Sequence, residues 1–444
     1  MIYDILGEDL YTILKTAGEK LTKENYVRVM AHYDGDGVSS SIIILKTLER
    51  LNIKYHLTYI KNLDNEGFRT LYEEESDVLN IVVDAGSSQM GSISEHSNFI
   101  ILDHHFYNRI DVKGINVNAR DFGIDGTHDA CGSTMAFIFS LVINEKNSDL
   151  LPFFMAGVTA DKQDIGGLSG LNLKLFNEYN KYKTQHTLNL EGNILDAITY
   201  SIDPFFTGLT GNPDETKAFL QKRGIDPAKN VIDLNVDENK ILANSLAMKI
   251  LENNVGADAI KYLESDVLYY DDLGFSSKEL DSIVDSNARL ASQSIPVQYF
   301  LGDKSVESEM MENIKIFKTK LIDYIYRARA DLKEEKYYNY FYAPESEMAG
   351  PISGAIALYT VRPDKPVIGF NFGTDDIKIS SRGTRYSVSK GLNLSEVMKA
   401  ACAAAGGSGG GHDIAAGGVI PKGKEKQFLE AAAKVIKDQI NYQL

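Results

Sequence analysis

The residues of this chain best suited to chemistry are acids and histidines set at short intervals. His32, Asp34 and Asp36 alternate in "AHYDGDG", and Asp103, His104 and His105 are consecutive in "ILDHHFYN". Two further acids, Asp84 in "VVDAG" and Asp161 in "GVTADKQD", each close an apolar run. Hard carboxylate oxygens with a few imidazoles suit Mn²⁺ or Mg²⁺ better than a thiolate set suited to zinc. Carboxylates crowded together repel one another, and two divalent ions about 3.5–4 Å apart would compensate them. A calcium-binding EF-hand is excluded: the twelfth position counted from His32 is Ile43, where a bidentate Glu belongs, and a strand precedes the loop. His56, His96, His128 and His186 join no such cluster and read as surface or core residues.

Convergence of these groups needs a fold that gathers distant strand ends. Four segments read as buried strands: "YVRVMAH" (26–32), "KYHLTYI" (54–60), "NIVVDAG" (80–86) and "NFIILDH" (98–104). "GVSSSIIILKTLERL" (37–51) reads as a helix between the first two. Strands alternating with helices predict a parallel sheet, in which active groups collect at the carboxyl ends of the strands. Helices are expected near 131–145 and 150–160. An acidic, mostly helical insert over 201–305 follows, and then one long connector helix over 306–336. That helix carries the stripe Met310, Ile314, Phe317, Leu321, Ile325, Ala328 and Leu332 at 4-3-4-4-3-4 spacing. From 337 strands return, followed by a helix over 394–405. The expected class is α/β, with a catalytic domain over 1–200 and a smaller α/β substrate-binding domain over 337–444.

The segment "GGSGGGHDIAAGG" near the C-terminus could be a flexible linker. It follows an alanine-rich helix, contains His412 and runs into an apolar stretch, so a phosphate pocket fits better. Glycines let backbone N–H groups approach an anion as a nest, which nominates Gly410 and Gly411. It lacks the Gly-Lys-Ser/Thr of a nucleotide P-loop. Arg382 lies upstream in "IKISSRGTRYSVSKGLNLS" (377–395), a strip with Lys378, Arg385 and Lys390 and no acid.

That strip stands out because the whole chain is acidic. Its 444 residues carry a formal net charge of −16, against indiscriminate coating of nucleic acid, which needs Lys and Arg. Residues 190–300 hold 18 Asp/Glu against 9 Lys/Arg. A length of 444 predicts two or three domains. No segment approaches the ~20 apolar residues of a membrane span, and the N-terminus has no signal-peptide pattern. Cys131 and Cys402 suggest no disulfide framework, so a reduced, cytoplasmic protein is expected.

Taken in order, "HYDGDG", the Asp84 strand end, "LDHH", "GVTAD" and "GGGHDIAAG" resemble the DHH phosphoesterase superfamily, whose namesake triplet stands at 103–105. With "FGIDG" at 122–126, the paired DHH and DHHA1 domains look most like RecJ-type exonucleases. Among these the chain is most similar to the archaeal GINS-associated nucleases, relatives of eukaryotic Cdc45 that carry an inserted domain. The resemblance implies two Mn²⁺ ions, with Mg²⁺ as the substitute. His32, Asp34 and Asp84 would hold one, and Asp36, Asp84, His104 and Asp161 the other, with Asp84 bridging. It also implies that His105 faces the scissile phosphate and Asp103 orients the histidines. Arg382, Gly410, Gly411 and His412 would grip phosphate. Asp164 has no role in it.

The implied activity is single-strand-specific exonuclease cleavage of ssDNA, with RNA as a second substrate class, in DNA replication and repair. Implied partners are single-stranded nucleic acid and, through the insert, GINS or replicative helicase components, with no membrane. Two alternatives remain: an oligoribonuclease or small-nucleotide phosphoesterase, against which the insert argues, and a Cdc45-like replisome scaffold, against which the complete ligand set argues.

Overall fold

The structure, a computed structural model, describes residues 2–61, 64–164, 167–345, 348–374 and 376–441. The chain forms two compact units: Met1–Thr184 with Val267–Phe317, and Gln185–Asp266 with Lys318–Leu444.

The first unit is built on a parallel sheet of β1 (Tyr26–His32), β2 (Lys54–Ile60), β3 (Leu79–Val83), β4 (Phe99–Asp103) and β5 (Ile115–Asn118), in the order β2-β1-β3-β4-β5. Every residue of β3 and β4 is buried, because a parallel sheet is covered on both faces. Val27, Val29, Ala31, Ile81, Val83, Ile100 and Leu102 face one core, while Met30, Val82, Phe99 and Ile101 face the other. The chain winds outward from β1 to β2 and then the other way through β3, β4 and β5. The winding therefore reverses between β1 and β3, where ligands of open α/β sheets bind. Ala31 pairs with Val83, so His32 and Asp84 leave neighbouring strands at that point.

β5 escapes a periodicity reading. It has four residues, lies at the sheet edge and buries only Val117 and Asn118. The insert boundary also differs from the sequence expectation, since residues 267–305 belong to the first unit. The helix Ser277–Arg289 accounts for this: its Leu280, Ile283, Val284 and Ala288 enter the core that also takes Val38, Ile42, Phe154 and Val158.

β6 (Lys183–Leu188), β7 (Glu264–Tyr270) and β8 (Phe275–Ser276) are short strands lying between the two main sheets in sequence. The predicted connector is the helix Glu307–Ala330, six residues shorter than expected at its C-terminal end, where β9 (Lys333–Glu334) begins soon after. No helix among the described residues is long and apolar enough to cross a membrane.

The second unit contains a mixed sheet of β9, β10 (Asn339–Tyr342), β11 (Val367–Phe372), β12 (Asp376–Arg382), β13 (Ser408–Gly411) and β14 (Ala415–Pro421). Its order is β13-β14-β12-β11-β10-β9. Helices Leu394–Ala404 and Glu425–Asn441 close its core through Val397, Met398, Cys402, Phe428 and Ile436. The glycine run is the edge strand β13, antiparallel to β14, rather than a looped nest. Packing explains several of its glycines. A Cβ on Gly409 would lie 2.8 Å from Cys402 Sγ, and one on Gly418 2.4 Å from the same atom. Only glycine lets the alanine-rich helix settle this closely on the hairpin.

Candidate metal centre

Each acid of the cluster is placed by a helix end or a strand end. Asp34 caps the helix Gly35–Arg50, accepting from Gly37 N at 3.1 Å through one oxygen. Its other oxygen lies 2.9 Å from His32 Nδ1. Asp36, buried in that helix's first turn, accepts from the backbone N–H of Gly132 at 2.6 Å and of Ser133 at 2.8 Å. These two amides open the helix Gly132–Ile143, and a helix N-terminus is suited to an anion. Asp84 follows β3 with φ of 58°, a left-handed backbone that is costly for a residue with a Cβ and tends to mark functional sites. Asp161 ends the helix Leu151–Ala160, where its charge meets the negative end of the helix dipole.

The side chains converge. His32 Nδ1 is 3.5 Å from Asp84 Oδ2, and His104 Nε2 is 3.2 Å from Asp84 Oδ1. His104 Nε2 also lies 3.7 Å from Asp161 and 4.0 Å from Asp36. The donor atoms form two separate sets, His32–Asp34–Asp84 and Asp36–His104–Asp161, each within 4.8 Å, linked by a third, Asp84–Asp103–His104–His105. Asp84 presents one oxygen to each histidine, the position of a bridge.

Behind them Asp103 is fully occupied, accepting from His105 Nδ1 (2.8 Å), His104 N (2.7 Å) and Ser87 N (3.0 Å). The far nitrogen of His104, Nδ1, lies 2.5 Å from Gly126 O within the predicted "FGIDG" segment, which turns Nε2 toward the acids.

The donor set fits divalent cations. Although carboxylate oxygens surround them, His32 Nδ1 and His104 Nε2 are buried and make no hydrogen bond of ordinary geometry. Each faces two or more carboxylate oxygens without a well-formed bond, an arrangement that a cation standing between them would satisfy. Electrostatics agree. Burial first, then Asp84 and Asp161, pushes the Asp36 carboxyl well above its usual range. Burial pushes Asp161 up to about 6, with Asp84 and Asp34 adding to it against His104. Burial alone would lower His32, but the nearby Asp34 and Asp84 raise it to about 11. His104 is raised in the same way, burial being outweighed by Asp84, Asp161 and Asp36. Burial works upward on Asp84, yet His104 and His32 together hold its carboxyl below the usual range. Without a cation, this cluster must hold protons to balance its charge.

In the second unit, Arg382, Gly410, Gly411 and His412 share one end of the sheet. Arg382 pairs in register with Ala415, Gly411 with Ala416, and His412 N donates to Ala415 O at 2.8 Å. Arg382 is half-buried, donates to its neighbour's Ser381 O at 2.9 Å and has no carboxylate partner among the described residues. Gly410 has open space where a Cβ would stand.

Residues 26–159 match the DHH family, N-terminal domain, and residues 338–438 match the DHHA1 domain. The chain belongs to the DHH family. A member from Methanocaldococcus jannaschii, an uncharacterized protein, is 31% identical over 98% of both chains. Among solved structures, RecJ from Thermus thermophilus in complex with Mn²⁺ superposes with a TM-score of 0.58 at 15% identity, over 98% of this chain. This chain spans 55% of that RecJ. CDC45 from Entamoeba histolytica gives 0.57 at 10% identity, over 97% of this chain and 98% of its own. At these identities the likeness is one of fold.

Within this DHH member, sequence reading missed the residues that hold the clustered acids in place. Gln163 is buried and donates to Ala130 O at 3.0 Å and to Asp161 at 3.3 Å. Gly132 and Gly157 make room: a Cβ on the first would lie 2.4 Å from Asp84 Cβ, and on the second 2.4 Å from Asp36 Oδ1. Small residues inside apolar helices carry no local signal of such a role. Asp164, by contrast, remains without a part in the cluster.

Proposed function

We propose that this DHH-family chain is a two-metal phosphodiesterase that removes nucleotides from an end of single-stranded nucleic acid, ssDNA first and RNA second. One observation carries the reading: a buried carboxylate, Asp84, sets one oxygen 3.5 Å from His32 Nδ1 and the other 3.2 Å from His104 Nε2, between two groups of acids. The Thermus relative in fold was solved with Mn²⁺ and also with Mg²⁺, which supports divalent ions here. Such ions would lower the pKa of water and offset charge on the attacking and leaving oxygens.

The chain's own groups do the rest. His32, Asp34, Asp84, Asp36, His104 and Asp161 hold the charge in place. His105 is kept with its Nδ1 hydrogen on Asp103. Burial lowers its pKa less than Asp103 raises it, so it is disposed to be cationic and to donate to a phosphate oxygen. Arg382, Gly410, Gly411 and His412 bind further phosphates as a charged and backbone grip. The acidic region within 201–305 is the candidate surface for GINS or helicase components, a role supported only by the likeness in fold to CDC45.

The test uses single strands of DNA and RNA labelled at either end, incubated with Mn²⁺, Mg²⁺ or a chelator. Ladder-free release of labelled mononucleotide from one end is expected, with none from duplex. Replacing Asp34 and Asp36 together by Asn should abolish it while far-ultraviolet circular dichroism stays unchanged. Full cleavage by that double variant overturns the reading, and turnover confined to dinucleotides replaces it with a small-nucleotide phosphoesterase.

A further inference from the structure

Phe106, immediately after His105, is 75% exposed, a costly place for a large aromatic. With Ser87, Ser88, Asn108 and Ile110 it lines a cleft of about 330 Å³, within the range of small-ligand sites. The cleft is built onto the catalytic cluster. Ser87 N donates to Asp103 at 3.0 Å, and Ser88 Oγ to Phe106 O at 3.2 Å. Asn118 Nδ2 donates to both His105 O and Ser87 Oγ at 3.0 Å. These bonds tie the wall of the cleft to the backbone that carries His105.

Its chemistry is selective. An aromatic face and an aliphatic side chain are combined with amide and hydroxyl groups, and no acid lines it. The larger cleft of about 660 Å³ sets Asp64, Glu66 and Glu74 against Lys61, a net negative lining that disfavours a polyanion. A flat ring with a polar edge, attached to a phosphate, fits the first and not the second.

We propose that this cleft seats the nucleobase beside the scissile phosphate, stacked on Phe106, with Ser88 and Asn108 offering hydrogen bonds to its edge. The proposal rests on the nucleic-acid reading above. Stacking on one aromatic tolerates every base, so the cleft selects nucleotides over other phosphodiesters without selecting sequence.

The chain contains no tryptophan, so Phe106→Trp installs a single reporter. Its fluorescence should be quenched saturably by a short oligothymidylate and not by an abasic oligomer of equal length. Equal quenching by both, or by neither, overturns the proposal. In cleavage assays Phe106→Ala should raise KM for oligothymidylate about tenfold, the range that stacking of one base supplies, with little change in kcat. On the abasic oligomer the variant and the parent should behave alike, and an equal loss there overturns the proposal by assigning Phe106 to support of His105. If no strand is cleaved but quenching still distinguishes the two oligomers, the nuclease reading falls and the base site stands.

Discussion

At the scale of single residues, the cluster's protonation makes metal binding a pH-dependent event with a definite sign. Metal-free, His32 is raised to about 11 and His104 is raised too, so both hold protons at neutral pH. Ions must displace those protons, so affinity rises with pH. Calorimetric Mn²⁺ titrations in two buffers of different ionisation enthalpy should show net proton release at pH 7. Stability of the metal-free chain runs the opposite way. The contribution of His32 is complete below its unfolded value of 6.5 and is lost as pH rises toward about 11. Asp161, raised from 3.8 to about 6, works in the same direction, destabilising as it ionises across that interval. The gain in melting temperature on adding Mn²⁺ should therefore grow from pH 5 to pH 8, and a flat difference would contradict the charge balance described here. Asp103 tests a separate function. Asp103→Asn keeps the shape but removes the charge and one of the two acceptor oxygens that fix the His105 ring and three backbone amides, so kcat should fall about 10- to 100-fold. Bound Mn²⁺, measured by atomic absorption, should stay near parental stoichiometry, because the Asp103 oxygens are already taken by the His105 ring and backbone amides.

At the scale of elements, the acids and histidines that converge were legible in sequence because each marks an abrupt change from an apolar run to a charged group. "VMAHYD", "IVVDAG" and "IILDHH" show strand ends directly. What holds those side chains was not legible. Gln163 looks like any loop residue, and Gly157 sits inside "FFMAGVTA", an apolar helix where glycine reads as a weak helix former. Its purpose appears only when the helices Gly35–Arg50 and Leu151–Ala160 are seen to approach across it. Gly157→Ala would drive a Cβ to 2.2 Å from Ser133 Oγ and 2.4 Å from Asp36 Oδ1. Neither can retreat, since Ser133 Oγ donates to Phe154 O and Asp36 is held by two amides. The variant should be destabilised by about 1–3 kcal/mol in urea unfolding. It should also lose Mn²⁺ affinity, even though no ligand has changed. The insert boundary failed for a related reason: the apolar stripe of Ser277–Arg289 announces an amphipathic helix but not which core receives it.

At the scale of the whole molecule, a chain of net charge −16 that is proposed to bind a polyanion must do so through local compensation. Two sources of positive charge would serve: the divalent ions proposed for the first unit and the strip around Arg382 in the second. The glycine run divides in this respect. The hairpin's glycines Gly409 and Gly418 serve the packing of Cys402 and its helix, while Gly410, Gly411 and His412 share the sheet end with Arg382. Arg382 is the clearest anion candidate of that end, because burial lowers its pKa and no carboxylate among the described residues pairs with it. Each phosphate contact to a single strand contributes about 0.7 to the slope of log affinity against log salt. Arg382→Ala should therefore flatten the salt dependence of strand binding by about that amount and raise KM, while Mn²⁺ stoichiometry is unchanged. A chelator should weaken binding by the parent and by the variant in equal proportion, since the two sources of charge lie in different units. If Arg382→Ala left the salt slope unaltered, strand binding would have to be assigned to the metal centre alone, and the DHHA1 unit would need another role.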